Sequence, residues 1–115
     1  MIIKRGDILL VNLEPVMGSE QGKIRPCIVV QNNTANQFSP TTIIVPLTSV
    51  FADKAYPTEV ILGTQESGLK KISAVLCNQI RTVSKEERVL KKLSTLKPET
   101  MHKVDSAIKV SLALD

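Results

Sequence analysis

The chain has no tryptophan and only three aromatic side chains, Phe38, Phe51 and Tyr56, in 115 residues. Stacking on aromatics is therefore a minor device for anything it binds, and Phe38 is expected in the core. A single histidine, His102, excludes an acid–base mechanism shared between two imidazoles. Two cysteines are too few for a disulfide framework. Cys27 and Cys77 each lie in an apolar, strand-like run and read as buried hydrophobes; with His102 far off in sequence, no structural zinc site is expected. Long apolar runs are also missing. Ile8-Leu9-Leu10-Val11 is hemmed by Asp7 and Asn12, and the start shows no signal-peptide pattern. These absences predict a cytoplasmic protein with no membrane partner, no metal and no cofactor.

What is present suffices for one domain, 1–115, with one modest core. The net charge is +4, unevenly spread. Arg81, Lys85, Arg88, Lys91, Lys92 and Lys97 face only Glu86 and Glu87 within one stretch, and Lys4, Arg5, Lys23 and Arg25 form a second basic group. Such an excess suits a polyanionic partner, whether a nucleic acid or an acidic protein tail; a lysine-rich solvated surface is the plainer reading.

Hydrophobic patterning gives several short strands. Residues 8–13, 25–32, 41–48 and 58–62 read as strands, followed by a long one over 73–83 and a shorter one over 89–96. Asn32-Asn33-Thr34 caps a short helical turn reaching Phe38. Pro46 inside the 41–48 run predicts an edge or a bulge that re-aims Thr48. Pro98-Glu99 opens a helix along which Met101, Val104, Ile108 and Leu112 form one apolar stripe. The architecture expected is α+β but mainly β: a strongly bent, mostly antiparallel sheet, a small barrel decorated by short helices and completed by a C-terminal helix.

The stretch Gly18-Ser19-Glu20-Gln21-Gly22-Lys23-Ile24-Arg25-Pro26 carries the most chemistry. A glycine-bounded polar loop empties into an arginine held extended by the following proline. A guanidinium at the mouth of a buried strand, beside a loop rich in donors and acceptors, suits a phosphate and what is attached to it. With Arg5-Gly6-Asp7-Ile8, Val45-Pro46-Leu47-Thr48-Ser49 and Asn78-Gln79-Ile80-Arg81-Thr82-Val83, this loop forms an ordered set of four motifs. The chain, over essentially its whole length, resembles the MazF/PemK (Kid) toxins of type II toxin–antitoxin systems. That resemblance implies an SH3-like barrel, a homodimer, metal-independent cleavage of single-stranded RNA at short sequences, and inhibition by a separate antitoxin chain.

The resemblance also places catalysis on Arg25 and Thr48. RNA carries its own nucleophile, the 2′-hydroxyl. Its attack on phosphorus needs in-line alignment, stabilisation of added negative charge and help with proton transfer. Arg25 suits the charge, as a fork over two phosphate oxygens, and needs no unusual pKa for it. Thr48 suits a supporting hydrogen bond to those oxygens or to the 2′-hydroxyl. Ser19, Glu20 and Gln21 are candidates for base edges, which is how single strands are read; Lys23, Asn32, Ser49, Gln79 and Arg81 complete the RNA-binding set. Arg81 serves RNA, the dimer mate or an acidic antitoxin equally well. Two other readings stay open. CcdB toxins share the fold and poison gyrase, but a tryptophan near the C-terminus matters there and this chain has none. A barrel that binds RNA without cutting it is the other.

Overall fold

A computed structural model of the chain describes residues 1–54 and 56–115. It contains seven strands, β1 (Asp7–Asn12), β2 (Ile24–Val29), β3 (Thr41–Thr48), β4 (Glu59–Leu62), β5 (Ser73–Leu76), β6 (Arg81–Ser84) and β7 (Val89–Thr95). Four helices accompany them: α1 (Asn33–Phe38), α2 (Thr64–Ser67), α3 (Lys85–Arg88) and α4 (Pro98–Leu112). Every strand pair is antiparallel, in the order β4-β5-β3-β2-β1-β7, with β6 also on β3.

Strand β3 organises the sheet because it has two partners on one side. Thr41–Ile44 pair with β6, and Leu47–Thr48 pair with β5. Pro46, opposite Cys27, lies between the two stretches. Proline brings no N–H to a ladder, so it fits where the strand passes from one partner to the next. This changeover divides the run 73–83, expected as one strand, into β5 and β6. Between them the backbone turns, with Gln79 N–H on the Leu76 carbonyl at 3.0 Å and Cys77 N–H on the Thr58 carbonyl at 3.0 Å.

Both faces of the central strands are buried, which explains why Ile8-Leu9-Leu10-Val11 does not alternate with polar residues. Ile8, Ile28, Val45 and Leu47 point to one cluster with Leu62, Val75, Met101 and Val104, so the sheet wraps around α4. Leu9, Val11, Cys27, Val29 and Ile44 point the other way, onto Ile3, Leu13 and Val83. The wrapping leaves edges at β4 and β7, and β7 exposes Lys91 and Lys92, a usual guard against edge-to-edge pairing.

Helix α4 buries Met101, Val104 and Ala107. The stripe stops short of its expected end, since Leu112 is exposed in the last turn. The helix is tied to the sheet by Arg5, whose guanidinium holds the Asp105 carboxylate at 2.5 and 3.3 Å and donates to the Val30 carbonyl at 3.0 Å. No described helix is long and apolar enough to cross a membrane.

Two details differ from the sequence reading. Phe38 is 76% exposed at the end of α1 instead of in the core. Its helix is anchored by a polar residue, Asn36, which is buried and accepts from Gln31 Nε2 and Thr42 Oγ1 while donating to the Gln31 carbonyl. The four-residue helices α2 and α3 also lie outside the sequence-based expectation. The second is capped by the Ser84 hydroxyl, which accepts from Glu87 N–H at 3.2 Å, and Ser-x-x-Glu is readable in the sequence.

Candidate phosphate-directed site

Arg25 is the second residue of β2 and is half-buried. Its Nε donates to the Gly22 carbonyl at 2.7 Å and its Nη1 to the Leu47 carbonyl at 3.3 Å. These two bonds fix the plane of the guanidinium between its own loop and the end of β3. A guanidinium has five N–H groups, so most of its donor capacity remains for a ligand. The register Cys27↔Pro46, continued by two residues, sets Arg25 opposite Thr48. The two residues that sequence paired across the chain are therefore neighbours on adjacent strand ends.

The Thr48 hydroxyl closes a small turn. It accepts from Val50 N–H at 3.1 Å and lies 3.2 Å from the Val50 carbonyl as donor. The turn orients the oxygen, and the proton given to Val50 is free to rotate to a better acceptor. Ser49, next along, is exposed.

The loop before Arg25 is held at its base by two arginines. Arg81 Nη1, on β6, donates to the Leu13 carbonyl at 2.6 Å. Arg88 Nη1, on α3, reaches the Asn12 and Glu14 carbonyls at 3.1 and 2.6 Å. Sequence reasoning misses Arg88 because nothing local links α3 to a loop more than seventy residues earlier. These bonds to neutral carbonyls leave the positive charge in place, whereas Lys92 is offset by buried Asp7 at 3.0 Å. Leu13 N–H donates to the Lys23 carbonyl at 2.9 Å, closing the loop's neck.

Within the loop, Glu14 Oε1 accepts from Lys23 N–H at 2.6 Å. That carboxylate lies over Gly22 so closely that a Cβ there would fall 2.5 Å from it and 2.7 Å from Val16 Cγ2. Lys23 adopts a left-handed φ of 65°, with its side chain exposed. Ser19 and Glu20 stand at the exposed tip, where Glu20 Oε1 accepts from Met17 N–H at 2.6 Å. Gln21 N–H lies 3.4 Å from Gln79 Oε1, which brings the β5–β6 turn to the loop. Asn32 is not brought to this group. It lies beyond the opposite end of β2, and its Oδ1 accepts from Ala35 N–H at 2.9 Å as the cap of α1.

Beneath the cluster lies Cys27, fully buried. Burial pushes its thiol up to about 12, while the positive charges of Arg25 and Arg81 act in the opposite direction. Arg25 and Arg81 thus bring two positive charges to this end of the sheet. His102 is elsewhere, in a hollow with Arg5 and Asp105 on α4. Among the described residues no three His, Cys, Asp or Glu side chains are grouped to hold a metal ion.

A fixed arginine fork, a hydroxyl opposite it and a polar loop above them define a phosphate-directed site at one end of a bent β-sheet. Similarity to known proteins points to the same class. A family model described as "PemK-like, MazF-like toxin of type II toxin-antitoxin system" matches residues 4–112, so the chain belongs to this family. Endoribonuclease EndoA of Bacillus subtilis is 44% identical over 114 residues, covering 99% of this chain and 97% of that protein. A mycobacterial endoribonuclease, solved in complex with its cognate antitoxin, is similar at a TM-score of 0.80 and 26% identity, over 98% of this chain and 97% of that one. MazF from Deinococcus radiodurans shares the fold at a TM-score of 0.84 and 24% identity, over 99% of each chain.

Proposed function

We propose that this toxin is a cytoplasmic, sequence-specific endoribonuclease that cleaves single-stranded messenger RNA without a metal and so inhibits translation and growth. One observation carries the reading: continued register sets Arg25 opposite Thr48 on neighbouring strand ends, with the fork fixed by two backbone carbonyls and its other donors without a partner among the described residues. The similarity to relatives named as endoribonucleases supports it.

The 2′-hydroxyl attacks the adjacent phosphorus, the bond to the 5′-oxygen breaks, and the fragments carry a 2′,3′-cyclic phosphate and a 5′-hydroxyl. Arg25 stabilises the charge that builds on the non-bridging oxygens, and Thr48 adds a hydrogen bond to the same oxygens or to the nucleophile. Alignment and charge stabilisation carry most of the rate, because no imidazole is at this end of the fold. Ser19, Glu20 and Gln21 on the loop and Gln79 on the adjoining β5–β6 turn meet base edges, while Lys23, Ser49 and Arg81 contact the RNA backbone.

The working form is a two-fold homodimer, which adds buried apolar surface to a small core. An acidic, partly disordered antitoxin segment covers the same electropositive groove by folding on it; that the mycobacterial relative forms a complex with its cognate antitoxin supports an antitoxin as partner.

The test is a defined long RNA incubated with the protein, with and without EDTA, followed by end-sequencing. Cleavage persisting in EDTA, with cyclic-phosphate ends, is the expected result. A substrate carrying a 2′-deoxy sugar at the cut should bind and stay intact. Cutting of that substrate would mean that water, not the 2′-hydroxyl, is the nucleophile. Arg25→Ala should lose at least a hundredfold in rate, about 2.7 kcal/mol of barrier, while staying folded. A folded Arg25→Ala protein cutting at the parental rate would remove Arg25 from the site.

A further inference from the structure

A hollow of about 250 Å³ lies beside the end of β3, between Pro26 of β2 and the segment leading into β5; Leu47, Ser49, Lys70, Lys71 and Ser73 are among the other residues that line it. Its position follows from register. Thr48 pairs with Ala74, so β5 begins beside Ser49, and the two lysines immediately precede β5. Arg25 thus lies on the strand to one side of β3, and the lysines lie just before the strand on its other side.

The lysine pair is held, not trailing. Ser67 is buried, its carbonyl accepts from Ser94 Oγ of β7 at 2.6 Å, and its own Oγ accepts from Leu69 N–H at 3.0 Å. Gly68 turns the chain with φ +73°, and a Cβ there would lie 3.1 Å from Ser94. Leu69 then packs against the core. On the other side, Ser73 Oγ donates to the Lys71 carbonyl at 3.1 Å. Between these anchors both lysines are exposed, and among the described residues neither forms an ion pair. Two adjacent ammonium groups without an ion-pair partner among the described residues, bordering this hollow, suit a polyanion's backbone.

We infer that Lys70 and Lys71 hold the RNA backbone phosphate adjoining the cleaved one, so that the strand is gripped on both sides of Thr48. This rests on the ribonuclease reading and adds to it a second anchoring point, outside the loop and outside the Arg25–Thr48 pair. Its role is positioning: it fixes the direction in which the strand crosses the strand ends.

The test uses the full-length protein and a long RNA with a 2′-deoxy sugar at the cut, so that binding is read without cleavage. Lys70→Ala/Lys71→Ala should weaken binding and lower the slope of log affinity against log salt by about 0.7 for each phosphate that is no longer neutralised. Lys70→Arg/Lys71→Arg should restore the slope. Lys109→Ala, in a hollow with Arg5 at the other end of the fold, should leave it at the parental value. On a cleavable RNA the alanine pair should raise KM by more than it lowers kcat. A folded alanine pair with parental slope and KM overturns the inference even if the parent cuts RNA. A parent that neither binds nor cuts RNA overturns the ribonuclease reading and this inference with it.

Discussion

At the scale of single residues, position matters more than type. Arg25, Arg81 and Arg88 are three guanidinium groups within one region, yet only Arg25 bonds the end of β3, at the Leu47 carbonyl next to Thr48. Arg81 and Arg88 bond carbonyls at the loop base. Arg81→Ala should therefore loosen the loop as well as remove a charge, and Arg81→Lys should recover the charge without the planar fork. Gly22 is the other sensitive position. Gly22→Ala forces the Glu14 carboxylate off Lys23 N–H and shifts the carbonyl that orients Arg25. Cleavage should fall by tenfold or more, with a loss of stability of roughly 1 kcal/mol, the size of one hydrogen bond. Parallel measurement of kcat/KM and urea midpoint tests this; equal cleavage rates would mean that the loop adjusts without moving Arg25.

At the scale of elements, the polar contacts decide how helices sit on the sheet. Asn36 fastens α1 to β3 through Thr42 and to the buried Gln31. Asn36→Ala leaves buried donors and acceptors on Gln31 and Thr42 without partners, which costs about 1–3 kcal/mol for each group stranded. Because α1 lies at the end of β2 remote from Arg25, the urea midpoint should drop while kcat/KM of the folded fraction holds. On α4, Val104 is fully buried in the cluster that includes Ile8, Ile28 and Val45. Val104→Ala removes two methyl groups there and should cost roughly 1–3 kcal/mol. The half-exposed Arg5–Asp105 pair is worth less, about 1 kcal/mol, and its effect should shrink in high salt.

For the whole molecule, burial of two thiols predicts an alkaline limit. Burial pushes Cys27 and Cys77 each up to about 12 from 9.0. The folded protein thus keeps these protons over a range in which the unfolded chain has released them. Their contribution to stability is complete below about pH 9 and is lost as pH rises toward 12. Urea midpoints measured across that window should fall for the parent and fall less steeply for Cys27→Ala/Cys77→Ala. Parallel slopes would show that the thiols do not set the limit. Native-state alkylation of both should be slow for the same reason. Assembly is also a property at this scale: sedimentation at micromolar concentration should show the proposed homodimer, and saturating antitoxin should displace RNA. A folded monomer that cuts at full rate would overturn the dimer.

The amino-acid sequence by itself determined the strand-rich character, the C-terminal helix opened by Pro98 and the candidacy of Arg25, while Thr48 was singled out by the family resemblance. The first three rest on local signals: proline and glycine punctuation, a 3.6-residue stripe, an arginine before a proline at a strand mouth. Asn32 as a helix cap and Cys27 and Cys77 as buried thiols were legible for the same reason. Only the tertiary structure decided what depends on which strands meet. The split of residues 73–83 follows from β3 having two partners, a fact that no property of that run contains. The clamp of Arg88 on the loop and the exposure of Phe38 come from packing between segments far apart in sequence. So does the placement of Lys70 and Lys71 beside Thr48. A lysine pair after a turn has no local mark of function, and strand order alone sets it at the edge of the site.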